Sequence, residues 1–160
     1  MRNDKDIKTT KDYLPKDLLH FGIDHLRAAK FLYNANASFY DSAGYLSHLG
    51  IELLLKSWLL DISGKHPKTH RLMTLWNKLI SLGKDLSLQE KNIQWMKELE
   101  NHYSLRYPPE SKPIETGSDD CDKTEKLFSE LCLHMPEHLL EKIQRFENTK
   151  KGRRILMKKR

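Results

Sequence analysis

An all-α fold, an up-and-down bundle of four to five antiparallel helices, is what this sequence predicts, and three observations predict it. Apolar residues recur at the helical period in five successive stretches. No stretch alternates apolar with polar residues long enough to suggest a strand. Most breaks between stretches are short and marked by Gly, Pro or Asn, which suits antiparallel neighbours.

Leu18, Phe21, His25, Leu26, Ala29, Leu32 and Tyr33 set out the first helix, 15–35. Pro15 fits its first turn, where the N–H that proline lacks would be unpaired anyway. Asn34-Ala35-Asn36 offers a weak break. The second helix, 38–62, is apolar on nearly every side from His48 to Leu60, as expected of a helix enclosed by protein. That stretch is too short and too charged to span a bilayer, and Ser63-Gly64 supplies its stop. After His66-Pro67-Lys68-Thr69, the third helix is expected to take Thr69 as N-cap and run to Leu82, with Gly83 ending it. Ser87 and Glu90 fit a capping box for a fourth helix, which Pro108-Pro109 stops. Residues 109–120 read as a loop. A last helix, 121–148, is carried by Leu127, Phe128, Leu131, Leu139, Leu140, Ile143 and Phe146, with a kink or break at Pro136.

The 160 residues fit one domain, divided into an N-terminal segment (1–14), the bundle (15–148) and a basic tail (149–160). The net charge of +6 is uneven. Seven basic residues and no acidic ones lie between Lys150 and Arg160, leaving 21 basic against 22 acidic side chains in the rest. Charge therefore gives the body no general nucleic-acid-binding face, while the tail can contact phosphates or simply be solvated. No secretory signal opens the sequence, and Cys121 and Cys132 match no disulfide or zinc spacing, so a cytoplasmic setting is expected. Trp58, Trp76 and Trp95 sit at apolar helical positions and read as core. His134-Met135-Pro136-Glu137-His138 has the letters of an inverted zinc-peptidase motif, but Pro136 disturbs the turn that would align both histidines. No metal site and no cofactor are expected.

At 100° per residue, Asp41, Tyr45, His48, Glu52 and Lys56 fall within an arc of about 80° on the second helix. Ionic groups are costly to bury unless paired. Two readings stay open: Glu52 and Lys56 form an i, i+4 pair that fixes packing, or the polar ladder lines a cavity for a nucleotide or an RNA end.

The run Leu49-Gly-Ile-Glu-Leu-Leu-Leu-Lys-Ser-Trp-Leu-Leu60, then Gly64, Pro67-Lys-Thr-His-Arg-Leu72 and Leu105-Arg-Tyr-Pro108, resembles the HEPN family. The name denotes a nucleotide-binding domain of higher eukaryotes and prokaryotes, and the similarity covers roughly residues 15–148. The resemblance implies a helical bundle, often a homodimer, used in nucleotide binding, RNA cleavage and toxin–antitoxin or defence systems, in many cases beside a nucleotidyltransferase. Ribonuclease members carry an Arg followed, after four to six residues, by His. Here Arg106 is present, but residues 111–113 are Ser, Lys and Pro, and Tyr107 stands where a small polar residue is usual. The expectation is a module that binds a nucleotide, an RNA or a nucleotidyltransferase partner without ribonuclease activity. His48, Glu52, Lys56, His70, Arg106 and Tyr107 are its candidate ligand-binding residues. The alternative is a metal-independent endoribonuclease using Arg106 as catalytic residue with a displaced histidine, either His102 one turn earlier or His70.

Overall fold

The computed structural model describes residues 13–83, 85–107 and 113–145. The basic tail, most of the N-terminal segment, the Pro108-Pro109 stop and the end of the last helix lie outside them. Five α-helices are set out in full: α1 (Pro15–Ala35), α2 (Tyr40–Ser63), α3 (Leu72–Ser81), α4 (Glu90–Glu100) and α5 (Asp120–His134). Helix also covers 137–145, and no strand occurs among the described residues. No described helix is long and apolar enough to cross a membrane.

The core collects around α2, whose Ile51, Leu54, Leu55, Trp58 and Leu59 are fully shielded and pack with side chains from every other helix. α1 lies closest to it. A Cβ on Gly50 would stand 2.5 Å from Leu26 Cγ and 3.0 Å from the Gly22 carbonyl oxygen. Two glycines at this crossing let the backbones approach more closely than any side chain allows. The Ser57 hydroxyl donates to the Pro15 carbonyl at 2.7 Å and ties the start of α1 to α2. All three tryptophans are core, and Trp58 meets Trp76 edge-on at 6.5 Å.

The expected boundaries hold for α1 and nearly so for α2. Pro15 occupies the first turn, Asn36 is the extended break, and Gly64 closes α2 with φ 73°. Asn36 also caps a short 3-10 helix, Ala37–Phe39, that leads into α2. Three expectations are corrected. α3 starts at Leu72, because the Thr69 hydroxyl accepts the Arg71 N–H at 3.1 Å and makes a local turn ahead of the helix. The Ser87–Glu90 capping box does not form. α4 begins at Glu90, and its N-terminus is served from α5: Glu130 accepts the Gln89 N–H at 2.9 Å and a hydrogen bond from the Asn92 amide. α4 ends at Glu100 and tightens into a 3-10 helix, Asn101–Arg106. The last helix breaks at Pro136, as expected: α5 stops at His134 and Met135 is extended.

Candidate functional site

The α4-to-3-10 junction is held by two histidines. The Asn101 N–H already serves the Glu98 and Leu99 carbonyls, and each carbonyl has a second lone pair to offer. His102 Nδ1 reaches back to the Glu98 carbonyl at 3.1 Å, and His48 Nδ1 from α2 reaches the Leu99 carbonyl at 3.0 Å. A carbonyl only accepts, so both ring nitrogens donate.

The 3-10 geometry then decides which side chains share a face. With three residues per turn, positions i and i+3 eclipse. Tyr103 therefore aligns with Arg106, and His102 aligns with Leu105. Gly44 of α2 records the second pairing, since a Cβ there would lie 2.5 Å from His102 Cδ2 and 3.4 Å from Leu105 Cδ1. Arg106 is on the other face, its Cζ 4.2 Å from the Tyr103 ring centroid and 5.1 Å from that of Tyr107. In a continuous α-helix His102 and Arg106 would be i, i+4 neighbours. The change of helix type gives Arg106 a tyrosine in place of the histidine.

His102 is buried beside Trp95, with Nε2 3.9 Å from Asp120 Oδ2. Burial by itself raises the Asp120 carboxyl, yet the His102 ring, the Gly117 N–H and Lys123 together hold it below its ordinary range. This is a separate polar cluster at the start of α5.

On the Tyr103 side stands Glu52. Its carboxylate is buried and meets three donors. Lys56 Nζ donates to Oε1 at 2.6 Å, His48 Nε2 lies 3.2 Å from Oε2, and His70 Nδ1 lies 3.1 Å and 3.2 Å from the two oxygens. Burial pushes this carboxyl up, but the His48 and Lys56 hydrogen bonds and the Lys56 and His70 charges outweigh it and bring it down to about 2. The i, i+4 pair of Glu52 with Lys56 is thus present, and it belongs to a larger cluster.

His70 connects the buried cluster to the surface. Its ring stacks on Tyr103 with centroids 4.2 Å apart and planes 13° apart, and its side chain is 52% exposed. A carboxylate only accepts, so Nδ1 donates to Glu52, and Nε2 makes no hydrogen bond among the described residues. Arg106 is likewise exposed, and no carboxylate pairs with it among the described residues.

Of the residues singled out from sequence, the structure brings His48, Glu52, Lys56 and His70 into one cluster. Arg106 joins it through Tyr103, and Tyr107 flanks Arg106 from an exposed position. His102 lies apart. Asp41 does too, accepting from the Thr116 hydroxyl at 2.9 Å. Tyr103 is the linking residue that the sequence reading missed. Its one signal is the three-residue spacing to Arg106, which matters only once the segment is known to be 3-10. Among the described residues no three His, Cys, Asp or Glu side chains cluster as a metal would need, and His138 is paired with Asp61 at 2.8 Å.

Compared with known proteins, the chain matches one family model, described as HEPN domain, over residues 16–145. No curated protein and no solved structure matches it.

Proposed function

Because the chain belongs to the HEPN family, we propose that it is a nucleotide- or RNA-binding module whose anion-facing groups are Arg106 and His70, with Tyr107 beside them. One observation carries this reading: Arg106 is exposed on two tyrosine rings with no acidic partner among the described residues, next to a carboxylate already saturated by its own donors. A guanidinium left without a carboxylate offers its planar fork to a phosphate. An exposed tyrosine at its side offers a face on which a base can stack. His48, Glu52 and Lys56 act behind this surface, holding His70 and the α4 end in place.

The test is the binding of a fluorescent single-stranded RNA and of a nucleoside triphosphate, by anisotropy and calorimetry. Arg106→Ala is expected to weaken binding at least about tenfold, a loss of the size expected for a charge-assisted contact. Binding unchanged in that variant, or none in the wild type, overturns the proposal. Family membership also leads us to expect a homodimer and a nucleotidyltransferase-type partner, which sedimentation of the purified protein and of its mixture with the candidate partner would reveal.

A second reading, a metal-independent endoribonuclease, is favoured by the Glu52–His70 contact. A histidine oriented through Nδ1 by a carboxylate can move a proton at Nε2, and Arg106 can stabilise charge developing on a phosphate. In this reading the displaced histidine is His70, because His102 is turned toward Asp120. It predicts cleavage of transfer RNA that is lost in both Arg106→Ala and His70→Ala and kept in His102→Ala. Intact RNA after prolonged incubation with the wild type overturns it.

A further inference from the structure

Away from this site, α1, α2 and α5 line a half-open cavity of about 300 Å³, at the lower end of the range for small-molecule sites. Ile23, Leu26, Ala29 and Phe128 make its walls apolar. Tyr33 and Ser47 also line it; their buried hydroxyls are near enough to act on each other, yet neither makes a well-formed hydrogen bond among the described residues. Ser47 is fully shielded and Tyr33 is 7% exposed. At the solvent side, Lys30 of α1 and Glu125 of α5 form an ion pair.

Two shielded hydroxyls with no well-formed hydrogen bond among the described residues are unusual in a protein interior, where polar groups are paired nearly throughout. Here they belong to a cavity large enough for a ligand. We propose that this cavity is a binding site for a small neutral molecule with an apolar, aromatic-sized body and one hydrogen-bonding head, a carbonyl or hydroxyl, that partners Tyr33 and Ser47. The apolar walls take the body. The head is neutral because neither cation lining the cavity is left for an anion: Lys30 is neutralised by Glu125 and Arg27 is engaged in an interaction of its own, and a buried charge without a partner is costly. Burial also keeps the Tyr33 phenol protonated, its pKa pushed well above the ordinary value, so it stands as a donor.

The experiment titrates the full-length protein with acetophenone, phenol and toluene, following the methyl signals of Ile23, Leu26 and Ala29 by NMR. Saturable shifts of these methyls are expected with acetophenone and phenol. Affinity should exceed that for toluene by about fivefold, the value of one net hydrogen bond. Ser47→Ala with Tyr33→Phe should erase the preference while keeping toluene binding, which also shows that the variant is folded. Absent or non-saturating shifts, shifts at other methyls, or equal affinity for toluene in the wild type overturn the proposal. The last of these is the outcome if the hydroxyls are served by trapped water alone.

Discussion

Glu52 keeps its charge inside the bundle because Lys56, His48 and His70 all reach it. Removing the carboxylate leaves the Lys56 ammonium and the His48 ring buried without their shared acceptor. Glu52→Ala should therefore cost about 3–5 kcal/mol in urea unfolding, the penalty for breaking a buried pair from one side. The pH dependence has a definite sign. The folded carboxyl titrates at about 2, below its ordinary 4.5, so its contribution is complete above pH 4.5 and is lost as the pH falls toward 2. The stability difference between wild type and Glu52→Gln should shrink through that window; a difference independent of pH would contradict the ion-pair account. Arg106→Ala, by contrast, removes only exposed cation–π contacts and should change stability by no more than about 1 kcal/mol. Its effect belongs to ligand binding, which separates its role from that of Glu52.

At the scale of elements, α4 depends on its neighbours at both ends. Its N-terminus borrows Glu130 from α5, and its C-terminus borrows His48 from α2. Glu130→Ala should cost about 1–2 kcal/mol, the value of a lost cap and its hydrogen bonds, read from thermal unfolding. The α1–α2 crossing gives a prediction against propensity. Replacing a mid-helix glycine by alanine favours the helix by about 1 kcal/mol, but a Cβ on Gly50 collides with Leu26 and the Gly22 carbonyl. Overpacking of this kind costs about 1–3 kcal/mol, so Gly50→Ala should be destabilised on balance. A more stable Gly50→Ala would mean the two helices are not in such close contact.

Across the whole molecule, charge and site are separated along the chain. The body carries almost no net charge, and the excess lies in the final eleven residues. If the tail contributes phosphate contacts, protein ending at residue 149 should bind RNA with a shallower salt dependence than the full chain, while the effect of Arg106→Ala persists in both. Equal slopes would assign all the electrostatic contribution to the body.

The all-α class, five of the helices, the enclosure of α2 and the break at Pro136 were legible in the sequence. Each follows from local periodicity or from the backbone limits of proline and glycine. So was the clustering of His48, Glu52 and Lys56, because residues three and four apart on one helix must share a face. The arrival of His70 from the segment before α3 was not derivable by spacing, and neither was the service of α4 by Glu130, because both contacts join residues far apart in the chain. The change to 3-10 geometry after Glu100 coincides with two imidazoles donating to the late α4 carbonyls, one of them from another helix. In that 3-10 register Arg106 meets Tyr103 and not His102. Local sequence determines which residues one helix can bring together, whereas contacts between residues far apart in the chain decide which of those faces meet.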